Sequence, residues 1–162
     1  MFADPLTERL ATFVRGVGIE VRAATLDEPT FLPGLDVRYG ALLIDQERLA
    51  YPGDILHEAG HIAVAEPSQR REERLSPDGG DENAAIAWSY AAACHLGIDP
   101  AIVFHAGGYR GGGGAFVTNF DSGHYVGVPL LQAYDMTFEL PTRRRPIPEG
   151  VTPYPYMLRW VR

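Results

Sequence analysis

His57, Glu58 and His61, in the run His57-Glu58-Ala59-Gly60-His61, have the types and spacing to do chemistry. On an α-helix, side chains four residues apart lie about 40° from each other and one turn apart. Both imidazoles can then reach a single ion from the same side. Glu58 projects about 100° from His57, outside that ligand pair but close enough to hold a water on the same ion. Zinc hydrolysis needs this division of labour: neutral nitrogen ligands, an open coordination position, and a carboxylate base beside it. The competing reading is two partly buried, hydrogen-bonded histidines with a solvated glutamate, a cluster that would need partners of its own.

The flanking sequence predicts the helix that this geometry requires. Tyr51-Pro52-Gly53-Asp54 reads as a turn into a helix start, with Asp54 capping the first turn. Ile55, Leu56, Ala59, Ile62, Ala63 and Val64 supply an apolar face, and Pro67 stops the helix. Upstream, Leu6 to Val14 carries a helical stripe, and Ile19 to Ala24 alternates as a strand does. Thr25 to Gly34 reads as loop. Val37 to Ile44 reads as one strand, with a turn at Asp45-Gln46-Glu47 and a third short strand over Arg48 to Tyr51. Downstream, Glu66 to Gly80 is a polar connector and Asp81 to Leu96 an alanine-rich helix closed by Gly97. A short turn at Pro100 to Phe104 follows. Ala115 to Phe120 and His124 to Val128 are expected to form a hairpin around Asp121-Ser122-Gly123, and Pro129 opens a short helix.

Two histidines hold zinc weakly, so a third ligand is expected. The metzincin extension is absent, because Val64 and Pro67 stand where its glycine and histidine would be. Glu82, opening the alanine-rich helix, is the leading candidate, with Asp81 the runner-up. Ala85, Ile86, Ser89, Ala92 and Ala93 form a stripe of small side chains that lets two helices approach closely. Acidic residues at this helix start also have a metal-free explanation: Asp81 as cap and Glu82 at the positive end of the dipole.

The His57 to His61 motif, the polar connector and Asp81-Glu82-Asn83-Ala84 opening a helix resemble the zincin metallopeptidases with a glutamate third ligand. The similarity covers about Leu42 to Leu96. Within that group, the small size and the helix with Ala84, Ala85 and Trp88 resemble the minimal ImmA/IrrE-like domains. The resemblance implies His57, His61 and Glu82 as zinc ligands and Glu58 as general base. The expected fold is a minimal zincin-like α+β domain, with a small curved sheet packed on the active-site helix and the alanine-rich helix. The expected activity is zinc-dependent peptide hydrolysis on a peptide held by strand addition at the sheet edge. The alternative is a catalytically silent metal-binding regulatory module.

Composition bounds this reading. At 162 residues the chain is expected to be one domain, 1–162, with a proline-rich tail from about 141. A net charge of −7 argues against non-specific nucleic-acid binding. No apolar run is long enough to span a membrane, and the start lacks the pattern of a secretory signal. Cys94 alone excludes an internal disulfide, and a cytoplasmic setting is expected. Cys94 itself reads as a buried small apolar residue. Gly107 to Gly114 reads as a surface loop, with a hinged lid as the sharper alternative. His124 and Tyr125 are weighed as oxyanion donors, and His95 and His105 as ordinary helix-end residues. Arg143-Arg144-Arg145 reads as solvated surface. Tyr154, Tyr156 and Trp160 suggest that the extended tail docks on the body of the protein or on a neighbour.

Overall fold

The first helical stripe folds as α1, Pro5–Gly16, where the Asp4 carboxylate accepts from the Thr7 N–H (2.6 Å) and Leu10, Ala11 and Val14 are buried. The structure is a computed structural model that describes residues 1–76, 79–108 and 111–162. Pro77-Asp78, before the alanine-rich helix, and Tyr109-Arg110, in the middle of the glycine-rich stretch, lie outside the described residues. Among the described residues the architecture is α+β, with five α-helices and a mixed three-stranded sheet.

The sheet corrects the strand reading. Val37 to Ile44 is not one strand but part of a tight hairpin, β2 (Leu35–Arg38) and β3 (Ala41–Ile44), paired antiparallel with Arg38 opposite Ala41. Tyr39 and Gly40 both take positive φ (51° and 74°), as a two-residue hairpin turn matched to strand twist requires. β1 (Glu20–Ala23) runs parallel to β3, giving the order β1-β3-β2. Arg48 to Tyr51 is not a strand. The chain there turns on Asp45, whose carbonyl accepts from the Arg48 and Leu49 N–H groups and whose carboxylate accepts from Leu26 and Glu47.

α2, Asp54–Val64, is buried on nearly every side, with Glu58 half-buried. The sheet packs on α2 through β2 and β3, and α3, Gly79–Leu96, makes the largest helix contact with α2. The expectation that the sheet rests on both helices is therefore refined: α2 is the shared element. Every residue from Ala84 to Ala93 in α3 is buried, which its small side chains allow because neighbours cover it all round. Cys94, one step beyond that run, is exposed rather than buried.

α2 ends at Val64, three residues before Pro67, because its last carbonyls find other donors. The Arg162 N–H donates to Ala63 (2.9 Å), and the Arg70 guanidinium donates to the Ala65 carbonyl (2.9 Å). The proline-rich tail also docks on α3: Tyr154 is buried with its hydroxyl on the Ala87 carbonyl (2.8 Å), and Trp88 Nε1 donates to the Trp160 carbonyl (2.8 Å). Tyr156 stays exposed, as does the Arg143 to Arg145 run.

The hairpin expected over 115–128 is also corrected. Gly113–Asp121 is a helix, α4, and Val128–Ala133 is another, α5. Phe116 and Phe120, four residues apart, stack against Phe104 on one helical face, and that contact decides the period. The end of the glycine-rich stretch, Gly113-Gly114, therefore belongs to a helix rather than to a loop.

Candidate metal centre

His57 and His61 lie on successive turns of α2, both with less than a tenth of their surface exposed. Their Nε2 atoms stand 3.2 Å apart. The Glu82 carboxylate, in the first turn of α3, closes the triangle: 3.6 Å from His57 Nε2 and 3.1 Å from His61 Nε2. Among the described residues, these are the three whose donor atoms gather tightly enough to hold one ion. The donor set fits zinc, since tetrahedral ligands about 2.0–2.1 Å from the ion lie about 3.3 Å from each other. The chemistry of two imidazoles and a carboxylate also suits other divalent ions, so the geometry shows a triad positioned to hold a metal ion and not which metal. Asp81, the runner-up ligand, lies outside this triad and sits beside His61 in a separate small pocket.

Close packing of the two helices produces this convergence. A Cβ placed on Gly60 would stand 2.9 Å from the Ala85 carbonyl oxygen and 3.3 Å from Ser89 Oγ. Gly60 thus lets α2 press against the small-residue stripe of α3, with Ser89 Oγ donating to the Ala85 carbonyl (2.7 Å). A Gly60→Val chain is expected to lose about 1–3 kcal/mol of stability from overpacking, read by urea denaturation, and to bind metal more weakly because the helices part.

Electrostatics divide the two imidazoles. Burial, helped by the neighbouring His61, lowers His57 to about 4, which favours the neutral form that a metal ligand needs. Burial also works against a charged His61, but the hydrogen bond to Glu82 and the Glu58 charge outweigh it and raise its value. The same His61 contact holds Glu82 below the usual carboxylate range against its own burial. Burial raises Glu58, opposed by His61 and reinforced by the charges of Asp54, Glu82 and Asp36. Asp54, Glu82 and Asp36 line one space together with Glu58.

That space is an open cleft of about 1130 Å³, bounded by the 25–32 loop and β2 on one side and by α2 on the other. His57, Glu58, His61 and Glu82 all line it. The proposed oxyanion donors do not. His124 is exposed and bonded to Ser122 Oγ (3.1 Å), and Tyr125 packs on Phe120 and Tyr154.

Sequence reasoning missed two features. Asp54 does not cap α2, since Gly53 is at that position; the buried Asp54 carboxylate instead meets His105 Nε2 at 2.8 Å. The His105 ring also stacks on Tyr51 (3.8 Å), so it is a structural tie at the head of α2 and not an idle helix end. The sequence offers one signal for this, an acidic residue at the start of a buried helix. Its partner, 51 positions away, carries none. The 25–32 loop, read only as a connection, is a wall of the cleft.

Among the described residues no helix is long and apolar enough to cross a membrane. Comparison with protein-family models, with curated proteins and with solved structures finds no match to the chain.

Proposed function

We propose that this chain is a zinc-dependent peptide hydrolase of zincin-like type, akin to the minimal ImmA/IrrE-like domains. One observation carries the reading: two imidazole nitrogens and one carboxylate converge within 3.6 Å of each other on an open cleft, with the motif glutamate lining the same cleft. His57, His61 and Glu82 would hold the ion. When bound, zinc supplies a Lewis acid that polarises a carbonyl and makes water more acidic at neutral pH.

The remaining steps belong to the chain. Glu58 takes a proton from the attacking water onto a carboxylate oxygen as the new C–O bond forms. It returns that proton to the amine nitrogen as the C–N bond breaks. β2, an edge strand along the cleft, supports an extended peptide as the substrate, bound by strand addition. The single cysteine supports a reducing, cytoplasmic setting.

A peptide-library cleavage assay tests the proposal. Cleavage is expected, lost on chelation and restored by added zinc. A zinc-loaded chain that cuts nothing would favour the alternative, a catalytically silent metal-binding regulatory module.

A further inference from the structure

Among the described residues β2 has one neighbouring strand, β3, and its other edge carries no strand and lies along the cleft. Which backbone groups face outward follows from pairing. The Asp45 N–H donates to the Gly34 carbonyl (2.8 Å), and Asp36 and Arg38 share that parity, so the even positions face β3. Leu35 and Val37 present their N–H and C=O groups to the open edge, and Tyr39 follows past the end of the strand.

All three N–H groups are already engaged. Leu35 donates to the Leu32 carbonyl (3.1 Å) and Tyr39 to the Glu73 carbonyl (3.3 Å). Val37 donates to Asp36 Oδ1 (2.9 Å). Those at Leu35 and Tyr39 are backbone closures that fix the course of the chain. The one at Val37 is made by a side chain, which a rotation about its own bonds releases.

We infer that Asp36 is a built-in competitor at the peptide site: its carboxylate occupies the Val37 N–H, the one edge donor that the backbone closures at Leu35 and Tyr39 leave for a bound peptide to take. This rests on the reading of the cleft as a peptide site. An antiparallel strand pairs one of its residues with both the N–H and the C=O of Val37. At Leu35 only the carbonyl is left to it, and at Tyr39 the N–H is taken. The displaced carboxylate keeps its charge partners, since Arg38 Nε lies 2.7 Å from Oδ2 and Arg74 Nη1 3.8 Å from Oδ1. Binding thus trades one hydrogen bond for another without stranding a charge. A ligand that cannot place a carbonyl opposite Val37 gains nothing from the exchange.

The test uses the full chain carrying Glu58→Gln, so that no turnover intervenes, and an alternating valine–lysine octapeptide as probe. Binding is followed by the NMR shift of the Val37 amide, and its hydrogen exchange is measured without peptide. Adding Asp36→Ala is expected to speed Val37 exchange about tenfold, leave Leu35 and Tyr39 exchange in place, and tighten peptide binding about three- to tenfold. Asp36→Asn keeps an acceptor oxygen and is expected to show less than half of that gain. Equal gains in both variants would mean a charge effect and overturn the inference. So would unchanged Val37 exchange, no peptide binding in either variant, or self-association through the bared edge in place of peptide binding. Cleavage is scored separately in the Glu58 parent. A peptide bound with this Asp36 dependence, while the zinc-loaded parent cuts nothing in the peptide library, refutes the hydrolase reading alone. A peptide cut with no Asp36 dependence refutes the Asp36 inference alone.

Discussion

A Glu58→Gln chain is expected to bind one zinc equivalent as the parent does and to lose about 10²- to 10⁴-fold in peptide hydrolysis, the usual range for a missing general base. Glutamine keeps the shape of the side chain but cannot accept a proton at neutral pH. Glu58 is not part of the triad that gathers His57, His61 and Glu82, so the ligand set survives the change. Its loss does remove a charge that acts on His61, which makes a small shift in metal affinity part of the expectation. Elemental analysis and kcat/KM on the same preparation separate the two effects. Full activity in this variant would remove Glu58 from the chemistry.

The second large effect concerns the third ligand. Glu82→Ala is expected to weaken zinc binding by well over the roughly 10- to 100-fold that follows loss of a ligand's hydrogen-bonding neighbour, because it deletes a donor atom itself. Asp81→Ala, one residue away, is expected to cost no more than that neighbour effect. The physical reason is the facing of α3. Glu82 turns its carboxylate toward both imidazoles, at 3.6 and 3.1 Å, while Asp81 falls beside His61 in another pocket. Competition against a chelator of known affinity gives both numbers. Equal losses in the two variants would mean that both carboxylates share the ion.

The parts of this arrangement that were legible in the sequence are those governed by a single helix. The four-residue step from His57 to His61 fixes the facing of two side chains whatever surrounds them. The stripe of small residues on α3 announces close packing, and Gly60 between the histidines turns out to be the residue that presses into it. Glu82 was reachable because it opens that same helix.

What was not legible depends on contacts distant in sequence. Phe116 and Phe120 read equally well as a short strand until Phe104 is present to receive them along one helical face. Val37 to Ile44 is apolar apart from Arg38 and Gly40, and a tyrosine at positive φ is a poor turn signal. Asp54 looks like a cap from its neighbours alone, yet a half-buried histidine from a distant turn claims its carboxylate. The 25–32 loop has no periodicity to read, and only the fold makes it a wall of the cleft.

The central claim is that one divalent cation is held between α2 and α3. Elemental analysis of the purified full chain, equilibrated with zinc and then freed of loose metal, addresses it most directly. The account predicts close to one zinc per chain, and close to none for folded His57→Ala or His61→Ala chains. A folded parent chain that retains no metal, or histidine variants that retain as much as the parent, would contradict it.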